Sequence, residues 1–84
     1  MKKIGLRINT KTPCPPIMRD SLKTCVQTEA LCAQISCSPS LEGFGAVMTI
    51  ANVTEENIES ILVTLDNIPI IKYWSVLSYE ESYI

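Results

Sequence analysis

The sequence predicts an α+β sandwich of element order βαββαβ, a four-stranded antiparallel sheet with two helices on one face. Three observations predict it. Four segments alternate or run apolar as strands do, and two carry apolar residues at helical spacing. The 84 residues leave room for one domain, spanning 1–84. With 46 % hydrophobic and 19 % charged residues, the chain has the material for a buried core.

The first strand is read over Lys3 to Ile8, where Ile4, Leu6 and Ile8 point one way and Lys3, Gly5 and Arg7 the other. It ends at Asn9-Thr10-Lys11-Thr12-Pro13. Pro15 and Pro16 suit a helix start, and a helix is expected from Pro15 to Ala30. Its apolar stripe is Met18, Leu22, Cys25, Val26 and Leu31. From Leu31 to Cys37 the period returns to two, with Leu31, Ala33, Ile35 and Cys37 on one face. The other face of that second strand is uncharged, so as an edge it is poorly guarded against pairing.

Ser38 to Gly43 is a turn cluster, and Phe44 to Val53 is a nearly continuous apolar run suited to a central strand. Thr54 is a good N-cap, and Glu55 and Glu56 complement the positive helix end behind it. Ile58, Ile61, Leu62 and Leu65 then fall at i, i+3, i+4 and i+7, predicting an amphipathic helix over Glu55–Asn67 that stops before Pro69. Ile70 to Tyr79 is rich in β-branched and aromatic residues and reads as the last strand, with both faces mixed. Glu80 to Ile84 forms a short acidic tail. Helical crossovers on a four-stranded sheet lead to the ferredoxin-like arrangement, with strand order 4-1-3-2.

Composition narrows the chemistry. Histidine is absent, which removes Ser-His and Cys-His nucleophile pairs, imidazole bases and histidine metal sites. No phosphate loop or nucleophile elbow is present, and Glu55-Glu56 and Glu80-Glu81 read as solvated carboxylates. A non-catalytic protein without a cofactor is expected. Residues 1–28 hold six basic side chains against one acid, whereas 29–84 hold one against eight. A pI near 4.9 without a basic stripe argues against nucleic-acid binding. The N-terminus lacks the apolar run of a signal peptide, and no stretch has the length of a membrane span, so a cytoplasmic location is expected.

The four cysteines, Cys14, Cys25, Cys32 and Cys37, contain no C-x-x-C. They read as free thiols of a reduced compartment. A thiol-based metal or redox site is a lesser alternative, because Cys14 lies just before a helix start, where a thiol pKa falls.

Two helices cover only one sheet face. The other is expected to be partly apolar and to support a homodimer, sheet face to sheet face or edge to edge. Ile35, Tyr73 and Trp74 are the expected interface residues. A small anionic metabolite is expected at the corner between the first strand and first helix, held by Asn9, Thr10, Lys11, Thr12 and Arg19 at a helix N-terminus.

The Gly43–Ile50 strand, the capped helix and the closing run NIPIIKYWSVLSYEE resemble the small ferredoxin-like regulatory domains. Among these are ACT-type amino-acid-binding domains and the effector domain of leucine-responsive regulators. The stretch Ser75 to Glu80 is similar to the last strand of NapD-type chaperones. The first resemblance implies a metabolite-binding regulatory module. The second implies a chaperone that takes an extended twin-arginine signal peptide along the edge strand, with Glu42, Glu80 and Glu81 to meet the arginines.

Overall fold

The computed structural model describes residues 1–41 and 44–81. The elements are β1 (Lys2–Thr10), α1 (Pro16–Glu29), β2 (Gln34–Pro39), β3 (Gly45–Val53), α2 (Glu55–Asp66) and β4 (Ile71–Glu81). All pairings are antiparallel, in the order β2-β3-β1-β4, which is the ferredoxin-like layout. Each helix joins two strands that run parallel without touching. β3 lies between β1 and β2, and β1 lies between β3 and β4. The resemblance's Gly43 and the tail residues Ser82, Tyr83 and Ile84 lie outside the described residues.

The core forms where the period-2 faces of the central strands meet the helices. Ile4 pairs with Ile50, Leu6 with Met48 and Ile8 with Ala46, and all six are buried. Leu22 and Val26 of α1 and Ile58, Ile61 and Leu65 of α2 close this layer. The helix α2 begins as its sequence dictates, with the Thr54 hydroxyl accepting from the Asn57 N–H at 3.2 Å. Asn57 Nδ2 also donates to the Glu29 carbonyl at 3.1 Å, tying the start of α2 to the end of α1.

The start of β2 and the burial of one cysteine differ from expectation. β2 starts at Gln34 rather than Leu31, and Leu31 is 81 % exposed. The cause is Gln27, whose Nε2 donates to the carbonyls of Ala30, Leu31 and Ala33 at 2.8, 3.2 and 3.1 Å and holds them in a turn. Cys25, placed on the buried stripe of α1 by its spacing, is exposed.

β4 is the longer edge and is irregular. Its register against β1 shifts between Gly5 and Leu6 and again between Asn9 and Thr10, which leaves Leu77 and Lys72 as extra residues. Each shift turns the following side chains to the opposite face. Tyr73, Ser75 and Ser78 thus sit on the open face with Asn9, Arg7 and Gly5, while Trp74, Val76 and Tyr79 lie on the helix side with Ile8, Leu6 and Ile4.

Gly45 opens β3 with φ +147°, a region that L side chains rarely adopt. A Cβ there would stand 2.0 Å from the Ile8 carbonyl oxygen. The glycine lets the two central strands close directly after the β2–β3 turn.

Candidate functional site

The open sheet face corrects an expectation. Its described side chains are Lys3, Arg7 and Asn9 on β1, Val47, Thr49 and Ala51 on β3, Gln34, Ser36 and Ser38 on β2, and the Tyr73 series on β4. This is a polar surface of small residues with two central cations, not an apolar one. The Phe44–Val53 run reads as apolar throughout, but Val47, Thr49 and Ala51 are half-exposed on the open face, while Ala46, Met48 and Ile50 are buried toward the helices. The apolar side chains on this face, Val47, Ala51 and Tyr73, are interspersed with polar and charged neighbours.

The three expected interface residues do not share one surface. Ile35 is 9 % exposed and belongs to the core under α1. Trp74 packs against the core from the helix side, and its Nε1 donates to Asp66 Oδ1 at 2.7 Å. Tyr73 alone lies on the open face, and it is exposed.

The corner residues separate in the same way. Thr10 is buried on the helix side, and its hydroxyl donates to the Thr12 carbonyl at 2.6 Å. Asn9 is half-buried on the open face opposite Gly45, and its Nδ2 is buried with no hydrogen-bond partner among the described residues. Arg19 Nη1 donates to the Cys14 carbonyl at 2.9 Å, bracing the loop to the helix. Lys11 and Thr12 are exposed, with the Lys11 N–H donating to the Ile70 carbonyl at 2.9 Å. The helix N-terminus behind them is poor in donors. Pro15 and Pro16 carry no N–H, and those of Met18 and Arg19 already donate to the Pro15 carbonyl at 3.0 Å. The five residues are not brought together around one point.

All four cysteines are free thiols. Cys14 and Cys37 are half-buried and pack against the core. Burial pushes both thiols up. Arg19 partly opposes this at Cys14, whereas at Cys37 the neighbouring Cys14 adds to it. Cys14 is thus not the activated thiol that its place before a helix suggested. At the far end of β1, Lys2 Nζ lies 3.9 Å from Glu55, 3.8 Å from Glu81 and 5.3 Å from the centre of the Tyr79 ring. A hydrogen bond with Tyr79, with the carboxylates behind it, holds this ammonium above its ordinary pKa.

The two sheet edges contrast most. β4 is irregular and carries Lys72, Glu80 and Glu81, features that discourage pairing with another chain. β2 is regular, pairs residue for residue with β3 and has no charged side chain. Beside it on the open face lies a shallow depression of about 280 Å³, lined by Lys3, Gln34, Ser36, Thr49 and Ala51 among others. The outward backbone groups of β2 follow from the ladder. The Ser40 N–H donates to the Gly45 carbonyl at 3.3 Å, so the even residues Gln34, Ser36 and Ser38 turn their peptide groups toward β3. Ile35, Cys37 and Pro39 turn theirs outward. The lack of charge along this edge is legible in the sequence, whereas which donors face outward follows from the register. Of the acids expected to meet a twin-arginine peptide, Glu80 and Glu81 lie on the opposite edge, and Glu42 lies outside the described residues.

Among the described residues no helix is long and apolar enough to cross a membrane. Compared with family models, with curated proteins and with solved structures, the chain matches none.

Proposed function

We propose that this protein is a non-catalytic interaction module, and that its working surface is the edge of β2, which takes up an extended strand. The observation that carries the reading is the difference between the two edges: β4 is irregular and charged, β2 regular and uncharged. An added strand would bond to the outward N–H and carbonyl groups of Ile35 and Cys37. Its alternate side chains would reach the depression beside Gln34 and Ser36. This is the strand-addition form of the regulatory or chaperone role that the sequence resemblance implies. A metabolite at the corner before α1 has less support, because two prolines remove the donors an anion needs there.

The test is residue-resolved amide exchange by NMR. The chain is examined over a range of concentrations and with extended ten-residue peptides selected from a display library. Slowed exchange at Ile35 and Cys37, with β4 unchanged, is the expected result. If neither a second copy nor any selected peptide slows these two amides, the reading is overturned.

A further inference from the structure

We infer that the extended strand taken up by β2 is acidic: a glutamate on its open face accepts hydrogen bonds from Gln34 and Ser36, with the Lys3 ammonium behind them. The inference rests on the strand-addition reading above and names the chemistry of the partner. It follows from the groups left unspent around the depression of about 280 Å³ beside β2. Gln34 and Ser36 line it from β2, Thr49 and Ala51 from β3, and Lys3 from β1. Gln34 stands opposite Ala51, and Lys3 continues that row on β1. No carboxylate among the described residues lines the depression.

Lys3 is exposed, and although Glu80 is its partner on β4, the two form no ion pair. The side chains of Gln34, Ser36 and Thr49 have no hydrogen-bond partner among the described residues. The depression thus offers donors and one uncompensated cation. An added strand lies about 4.8 Å beyond β2, so a carboxylate on it reaches Gln34 and Ser36 directly. The small Ala51 leaves the row open between them and Lys3, whose charge acts over the about 8 Å that physiological salt allows.

Charge is divided across the sheet in the same sense. Every charged side chain of α2 is acidic, and β4 carries Glu80 and Glu81. Both elements belong to the far margin, where Glu55 and Glu81 approach Lys2 and Asp66 accepts from Trp74. Near β2, after burial and Cys14, the groups that act on the Cys37 thiol are Arg19, Asp20 and Lys23, two cations against one acid. An acidic strand is therefore repelled from β4 and drawn to β2. The net charge of the chain is −2 and attracts no anion, so the preference is local to this edge. It is opposite in sign to the twin-arginine peptide that the second resemblance implies.

The probes are three capped ten-residue peptides, (Thr-Glu)5, (Thr-Gln)5 and (Thr-Lys)5. Strict alternation puts the variable side chain on one face in every register, and threonine supports the extended form. Binding to the full chain is followed by NMR at physiological salt, with amide exchange read at Ile35 and Cys37. (Thr-Glu)5 is expected to bind about fivefold more tightly than (Thr-Gln)5, and (Thr-Lys)5 more weakly than either. Lys3 is exposed, so its replacement leaves the fold intact, with circular dichroism as the control. Lys3→Gln is expected to remove most of the preference for glutamate, and Lys3→Glu to reverse it. Equal binding of (Thr-Glu)5 and (Thr-Gln)5, or a preference that Lys3→Glu leaves unchanged, overturns the acidic partner. In that case, slowed exchange at Ile35 and Cys37 with (Thr-Gln)5 or a display-selected peptide leaves the strand-addition reading standing. If no peptide, alternating or selected, slows these amides, both are overturned.

Discussion

Two glycines on the central strands should answer differently to the same added methyl group. Gly45→Ala forces an L side chain into φ +147° and drives its Cβ to 2.0 Å from the Ile8 carbonyl oxygen, 3.0 Å from the Ile8 carbonyl carbon and 3.1 Å from the Asn9 Cα. All three neighbours are backbone, so no side chain can step aside. The strained backbone costs roughly 1–3 kcal/mol. Forcing the strands apart to relieve the overlap costs roughly 1–3 kcal/mol more. The sum is a large part of the about 5–15 kcal/mol that holds a domain together. Gly5 differs, because a Cβ there meets the Ser78 hydroxyl at 2.6 Å, with the Ser78 Cβ at 3.7 Å. Gly5→Ala should therefore be costly alone and close to neutral in an S78A background, a coupling of about 1 kcal/mol. Urea unfolding followed by Trp74 fluorescence measures all four variants. A Gly45→Ala loss below about 1 kcal/mol, or a Gly5→Ala cost that survives S78A, refutes the steric reasoning.

Other perturbations test the remaining packing. Ile61→Asp buries a carboxylate at a position 1 % exposed between helix and sheet, and circular dichroism should find the chain unfolded at neutral pH. Gln27→Ala removes the donor shared by three carbonyls of the α1–β2 turn. It should cost about 1–3 kcal/mol in urea unfolding. The buried thiols predict alkaline sensitivity. Cys14 and Cys37 have raised folded-state pKa values, so the native chain keeps protons that the unfolded chain releases. Their contribution is full below the ordinary thiol pKa and is lost as pH rises through the raised values. The melting temperature should fall above about pH 9, and more shallowly in C14A/C37A. Timed alkylation read by mass spectrometry should label exposed Cys25 and Cys32 before Cys14 and Cys37.

What could be read from the sequence was whatever local periodicity and capping decide. The Thr54 cap and the Ile58, Ile61 and Leu65 spacing located α2 to within a residue, because cap and stripe point the same way. The alternation of Ile4, Leu6 and Ile8 placed the buried face of β1 correctly. The start of β2 was misplaced because Leu31 continues the alternation of Ala33 and Ile35, while Gln27, earlier in the chain, overrides it through hydrogen bonds that no periodicity encodes. The faces of β4 were ambiguous for a geometric reason. Extra residues at Lys72 and Leu77 reverse the alternation twice, so no single period describes the strand. The grouping of Asn9 with Thr10 failed because neighbours on a strand point to opposite sides, which separates residues that look adjacent in a loop. The unguarded β2 edge was visible as an absence of charge. Which of its amides face outward depended on Ser40 meeting Gly45 across the turn.

The unlike margins of the sheet bear on how far association can run. A platform with two receptive margins is a monomer unit for a filament, since each addition exposes a fresh margin for the next. Here the kinks at Lys72 and Leu77 and the charges around them spoil one margin, and Pro39 shortens the other. An addition at β2 meets no second receptive margin at β4, so pairing along one rim does not propagate to the other.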